Sequence, residues 1–266
     1  MIPLRDYRVR RTFPAVTVGL LVLNALVFAF QLTRSDAMPV IVDTTPWAEA
    51  NVPFYGVSPT QLGGLKAISE RDAFAFSYGL VPGEFLLGKD LPPRIPLPLW
   101  MTLLSSMFLH GGLLHLLGNM LYLWIFGDNV EDAMGHVRFF IFYLLCGAAA
   151  AFAQIAIGPH SGVPLIGASG AIAGVLAAYV MLFPHARVLT LIPVFFFVRL
   201  VAIPAVLLLG LWFLFQVISG AGSVGETSGV AWFAHIGGFV AGGILVLAFR
   251  RRGVPVVLWQ MIRRRF

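Results

Sequence analysis

Of the 266 residues, 59% are hydrophobic and 11% are charged, and the mean hydropathy is +0.88. Soluble domains carry roughly a quarter charged residues, so this composition excludes an ordinary water-soluble globule and reads as a polytopic membrane protein. The net charge of +6 is concentrated at the two ends. Arg5, Arg8, Arg10 and Arg11 precede the first apolar run, and Arg250, Arg251, Arg252, Arg263, Arg264 and Arg265 follow the last. Basic clusters that flank apolar spans set orientation, with the positive ends inside. The charge is therefore assigned to topology and not to a nucleic-acid partner, and the tail "VVLWQMIRRRF" suits the inner membrane surface. The single cysteine, Cys146, can form no internal disulfide.

In chain order, residues 1–13 are a basic N-terminal tail and about 14–31 a first span. Its core is longer than that of a signal peptide and no A-x-A site follows closely, so it reads as uncleaved. Residues 32–97 are rich in charge and proline and too long for a plain loop. They are expected on the outer side and partly embedded, because "FAFSYGLVPGEFLLG" is strongly apolar. Residues 98–250 hold the core spans, at about 112–127, 137–157, 168–183, 199–218 and 232–249. The stretch "PLWMTLLSSMFLHGG" either starts the second span or forms a separate interfacial helix turning at Gly111-Gly112. Residues 251–266 are a basic C-terminal tail. The expected fold class is all-α: one domain over 1–266, a six-transmembrane-helix bundle with a large first outer loop and both termini inside.

Polar groups inside a span are costly and mark functional candidates. With six spans, the second, fourth and sixth enter from outside. That places His115 with Asn119, Ser169, and His235 in one layer just below the outer surface. His115 and Asn119 are four apart and share a helix face. His235 shares its face with Gly238 and Gly242, and Ser169 heads a stripe of small residues beside the pair Gly170 and Gly174. Two such helices can approach closely and bring a serine nucleophile to a general base. No carboxylate lies near the outer span ends, and Glu226 sits in the loop before the sixth span. The expectation is therefore a Ser169–His235 dyad, with the backbone N–H groups at Ser169 and Gly170 and the side chains of His115 and Asn119 facing the oxyanion.

Each of these residues has a structural alternative. Serine in an apolar helix commonly bonds back to a carbonyl, asparagine joins helices, and glycines serve packing in any case. No H-E-x-x-H or completing carboxylate supports a zinc site. There are no paired intramembrane aspartates, and little polarity lies at mid-depth as a transporter would show. No metal or cofactor is expected. His136, His160 and His185 read as solvated, and Glu131 and Gly135 as structural. Ser105, Ser106, His110 and Gln154 are candidates for feeding water to the pocket, and "SGAGSVGETSGVAWF" for a flexible cap over it.

The motifs "HGGLLHLLGNM", "EDAMG", "GASG" and "AHIGGFVAGG", in this order over about 98–250, resemble the rhomboid intramembrane serine proteases. The resemblance implies a helical bundle with a water-filled cavity that opens outward. It also implies a dyad at Ser169 and His235, oxyanion donors at His115, Asn119 and the Ser169 backbone, and structural roles for His110, Gly167, Glu131 and Gly135. Its substrates would be single-span membrane proteins in a bacterial inner membrane, unwound locally at small or helix-breaking residues and admitted past the fifth span. Oligomeric state is left open. Two positions depart from the pattern: Ala173 stands where some members have tyrosine, and no Trp-Arg dipeptide occurs. A catalytically inactive client-binding relative, or a small transporter, is the alternative reading.

Overall fold

The computed structural model describes residues 1–95, 97–194, 197–222 and 231–258. Strand β1 (Ile2–Asp6) precedes helix α1 (Ala15–Leu32). A folded segment follows, with β2 (Pro39–Asp43), α2 (Thr45–Glu49), β3 (Leu65–Ser69), α3 (Glu70–Tyr78) and α4 (Pro82–Leu87). A short helical stretch over Leu99–Phe108, containing α5 (Thr102–Ser105), leads into α6 (Leu113–Met134). Then come α7 (His136–Ile157), α8 (Ser169–Leu182), strands β4 (Arg187–Val194) and β5 (Phe197–Pro204), α9 (Ala205–Gly222) and α10 (Trp232–Phe249).

The architecture is the expected helical membrane bundle. Helices α1, α7, α9 and α10 are long and apolar enough to cross a bilayer, and a fifth span is counted if Leu99–Phe108 and α6, bent by 82°, are taken as one. Of the two readings of residues 98–112, the separate helix turning at the glycines is the one observed. Helix α8 has 14 residues, about 21 Å at 1.5 Å per residue, which is shorter than the roughly 30 Å hydrocarbon core. Its far end is level with the charged end of α6. There the Tyr179 hydroxyl donates to the Asp6 carboxylate at 2.5 Å, and Asn129 Nδ2 donates to the same oxygen at 2.9 Å. The shortness of α8 therefore sets Ser169, its first residue, below the level where its longer neighbours end.

Two small antiparallel sheets supplement the helices, and neither was read from the sequence. In one, β1 pairs with β4 and β4 with β5; in the other, β2 pairs with β3. The apolar run expected to begin a span at residue 199 is instead a hairpin, and α9 starts at Ala205. Valine, isoleucine and threonine favour strands, and Pro193 and Pro204 deny a helix its amides. Period alone could not separate these possibilities, because apart from Arg187, Thr190 and Arg199 both strands are apolar.

Glu131 explains why α1 and α6 meet as they do. Its carboxylate, fully buried, accepts from Val16 N (2.9 Å), Thr17 N (2.7 Å) and Thr17 Oγ1 (2.7 Å). An anion there satisfies the free amides of the first turn of α1 and complements the helix dipole. His136, expected to be solvated, is only half-exposed, because its Nδ1 lies 2.5 Å from Glu131. Residues 1–13 are likewise held: Arg10 pairs with Asp128, and Thr12 Oγ1 donates to Asp132. The expected C-terminal surface tail, with Arg263, Arg264 and Arg265, lies beyond the described residues.

The segment between α1 and α5 has its own core of Trp47, Val52, Phe54 and Phe76, with the two phenylalanine rings stacked at 4.8 Å. It is stitched to the loop that precedes α8. Leu80 and Leu165 exchange backbone hydrogen bonds, and Gly83 N–H donates to the Ser161 carbonyl at 3.0 Å. Beside Gly83, Glu84 is buried and accepts from Leu91 N at 3.3 Å. Burial, reinforced by the Asp90 charge, pushes its carboxyl up to about 8. A proton held in the fold but released on unfolding makes stability fall as pH rises from the usual carboxylate range towards 8. Hydrogen-exchange protection of residues 82–91, corrected for intrinsic rate, should therefore drop between pH 5 and pH 8. Glu84→Gln should flatten that dependence, and an equal drop in the variant would disprove the assignment.

Candidate active site

Ser169 opens α8 because the chain before it cannot be helical. Gly167 has φ +124°, a conformation that disfavours a side chain, and its N–H donates to the Ser106 carbonyl at 2.8 Å. A Cβ at Gly167 would come within 2.8 Å of His115 Nε2. Glycine here lets the imidazole approach the start of α8. Ser106, expected as a water-feeding residue, thus acts through its carbonyl. Ser105 Oγ donates to the Tyr78 carbonyl at 2.7 Å.

Helix α10 packs on α8 with almost nothing between the backbones. A Cβ at Gly238 would fall on the Gly170 carbonyl, one at Gly242 on the Gly174 carbonyl, and one at Gly170 would come 2.5 Å from Ala150 Cβ on α7. This contact sets Ser169 Oγ 2.7 Å from His235 Nε2. His235 Nδ1 in turn lies 2.7 Å from Gln216 Oε1 on α9. A carbonyl oxygen only accepts, so the ring proton resides on Nδ1 and Nε2 is free to accept from the serine hydroxyl. The tautomer required of a general base is thereby fixed without a carboxylate. Gln216 is 4% exposed, and the rings of Trp212 and Trp232 flank the imidazole at 6.0 and 6.3 Å.

Gln216 was missed in the sequence. It is uncharged and belongs to none of the motifs quoted above. A signal existed: it is the one glutamine in the apolar run of α9, less than two turns from the C-terminal end of that helix. Ala173, where a stacking tyrosine might have stood, is fully buried and leaves the ring to Gln216 and the tryptophans.

His115 and Asn119 face the same cavity. Gly111 N–H donates to His115 Nδ1 at 3.4 Å, which leaves the proton of the neutral ring on Nε2, the nitrogen nearest Gly167. Asn119 Nδ2 is buried with no acceptor among the described residues and would lie 3.7 Å from a Cβ at Gly167. Among the described residues no backbone carbonyl outside the helix accepts from the amides of Ser169 and Gly170, as expected for the first turn of a helix. His110 is buried edge-on to His115, at 5.1 Å between centroids. Its backbone is clasped by Gln31, whose amide accepts from His110 N (3.0 Å) and donates to its carbonyl (3.2 Å). The cavity has a volume of about 1390 Å³ and is lined by His115, Asn119, Gln154, Ser169, Gln216 and His235; Pro53, Val57 and Pro59 of the segment after α1 close one side. Gln154 also accepts from Ala234 N at the start of α10. Most of the expected cap, including Glu226, lies outside the described residues.

Residues 98–252 match the rhomboid domain as a family. The chain belongs to the rhomboid family. It is an integral, multi-pass membrane protein. Over 165 residues it is 34% identical to the rhomboid protease GluP of Bacillus subtilis, a match covering 60% of this chain and 29% of that protein. Over 174 residues it is 30% identical to the human mitochondrial presenilin-associated rhomboid-like protein, covering 60% of this chain and 42% of the relative. Rhomboid protein 1 of Saccharomyces cerevisiae mitochondria is 37% identical over 97 residues, covering 33% of this chain and 27% of the relative. The matches thus span less than half the length of these relatives. In this rhomboid, the segment that closes one side of the cavity lies outside the matched domain.

The α8–α10 contact generates a direct test. Gly238→Leu must part the two helices, at a cost of about 3 kcal/mol. The variant should unfold at a lower temperature in detergent, whereas Gly243→Leu, where an added Cβ meets nothing within 4 Å, should unfold close to the wild type.

Proposed function

We propose that this rhomboid is an intramembrane serine endopeptidase in which Ser169 and His235 form a catalytic dyad. The observation that carries the reading is the relay Ser169 Oγ–His235 Nε2, 2.7 Å, and His235 Nδ1–Gln216 Oε1, 2.7 Å, at the wall of a cavity in a membrane protein. His235 Nε2 takes the hydroxyl proton as Oγ attacks the scissile carbonyl carbon. The developing oxyanion is received by the Ser169 and Gly170 amides, His115 Nε2–H and Asn119 Nδ2, which need no reorganisation. The imidazolium then gives its proton to the leaving amine. A water, deprotonated by the same nitrogen, releases the acyl group and restores the serine. No cofactor takes part.

The substrates are single-span proteins of the surrounding bilayer. Helix α9 is the wall between cavity and lipid, with Gln216 and Trp212 on one side and exposed Leu207, Leu211, Leu214 and Ile218 on the other. Access past α9 is therefore the shortest path for a transmembrane segment. Residues 1–266 act as one domain, with six spans, 98–250 as the catalytic core and both termini cytoplasmic in a bacterial inner membrane. Cleavage falls near the outer face.

Purified protein in detergent should react with a fluorophosphonate and cleave a single-span reporter, and Ser169→Ala or His235→Ala should lower cleavage on the order of 10⁴-fold or more. Absence of both labelling and cleavage in the folded wild type would favour an inactive, client-binding relative.

Gln216 is a positioning residue in this scheme. Gln216→Leu removes the acceptor that fixes the tautomer, and should lower kcat about 10²-fold or more with KM nearly unchanged. Gln216→Glu should restore much of the rate and displace the pH–rate profile. Equal rates in all three proteins would remove Gln216 from the mechanism.

A further inference from the structure

At the end of the bundle opposite Ser169 lies a second, shallow cavity of about 530 Å³. It is lined by Met134, Gly135, His136, Val137, Arg138, Arg251 and Arg252. It belongs neither to the catalytic cavity nor to the helix contacts that build it. Among the described residues, no carboxylate lies within ion-pair distance of Arg138, Arg251 or Arg252. Glu131, which contacts the lining residue His136, is already occupied by Val16, Thr17 and His136. The cavity therefore gathers three guanidinium groups that have no ion-pair partner among the described residues.

These cations are held in place. Arg251 N–H donates to the Ala133 carbonyl at 2.9 Å, which ties the chain after α10 to the end of α6, and Val254 N–H closes a turn on the Arg251 carbonyl at 3.1 Å. The Arg251 side chain lies over Gly135, whose φ is +86°; a Cβ there would come within 3.1 Å of the guanidinium. Arg138 Nη1 reaches the Arg250 carbonyl at 3.4 Å. No side chain caps the first turn of α7, a 22-residue helix, and that turn holds no acidic residue. Its open amides add positive potential to the same hollow. Beside it, Val137 is 72% exposed and Phe140 43% exposed on a membrane-spanning helix, so the apolar surface next to the cations faces acyl chains.

The geometry points to a binding site for a phosphate-bearing anion, with the headgroup of an acidic phospholipid as the ligand. Guanidinium groups match phosphate oxygens in pairs, and basic pockets between membrane helices take anionic headgroups. The inference is independent of the catalytic reading, because it uses none of its residues.

Full-length protein in detergent can be tested by native mass spectrometry with phosphatidylglycerol, phosphatidylcholine and inorganic phosphate. The wild type should retain phosphatidylglycerol in preference to phosphatidylcholine. The triple variant Arg138→Gln, Arg251→Gln, Arg252→Gln should bind phosphatidylglycerol on the order of a hundredfold more weakly. The corresponding triple lysine variant should keep most of the preference. If millimolar inorganic phosphate displaces the lipid, the site recognises phosphate alone; if it does not, the acyl chains contribute, and both results support the site. Should the triple glutamine variant unfold, Arg252→Gln alone decides. Equal retention of the two lipids by the wild type, or a preference unchanged by the arginine substitutions, would overturn the assignment.

Discussion

The contact on which the site depends is between two helix backbones. Helices α8 and α10 touch through Gly238 and Gly242, which face the carbonyls of Gly170 and Gly174. In a bilayer, apolar side chains gain little by leaving lipid for one another, so helix association relies on close packing and interhelical hydrogen bonds. Small residues allow both. The same contact that holds the two helices together fixes the separation of Ser169 and His235, so stability and site geometry share one cause.

A second constraint follows from the solvent. Polar groups in the bundle need partners, and the protein supplies them in two separate layers. Near Ser169 the partners are neutral: a glutamine for the histidine, backbone amides and carbonyls for Gln31, Gln154 and Ser106. At the opposite end they are charged, with Glu131 capping α1 and Asp6, Asp128 and Asp132 binding the N-terminal segment and its neighbours. Neutral groups cost less to bury than charges, which suits a cavity below the surface. The amide of Gln216 orients an imidazole there without adding a second charge to be desolvated.

The segment after α1 gives the bundle an asymmetric collar. Its aromatic core is self-sufficient, yet Leu80 and Gly83 bond to the loop that carries Gly167 and Ser169. The collar therefore braces the turn on which the serine stands while Pro53, Val57 and Pro59 face the cavity. This segment falls outside the matched domain, residues 98–252.

Much was legible in the one-dimensional pattern. Apolar runs gave the helices to within a few residues for α1, α7, α8 and α10, because length and hydropathy are local properties that lipid selects directly. The spacing of His115 with Asn119, and of His235 with Gly238 and Gly242, reported shared faces for the same reason. What the pattern could not report was pairing between distant segments. The hairpin of β4 and β5 hid in a largely apolar run, since strands with few polar residues show no clear period of two. Two partners of Glu131, Val16 and Thr17, lie more than a hundred residues away in α1. Gln216 looked like a lone polar residue until α9 was packed against α10. The sequence by itself determined a membrane-embedded helical bundle and the residue types its chemistry could use. Only the tertiary structure decided which of them meet, because hydrogen bonds and backbone contacts depend on distances that no linear spacing contains.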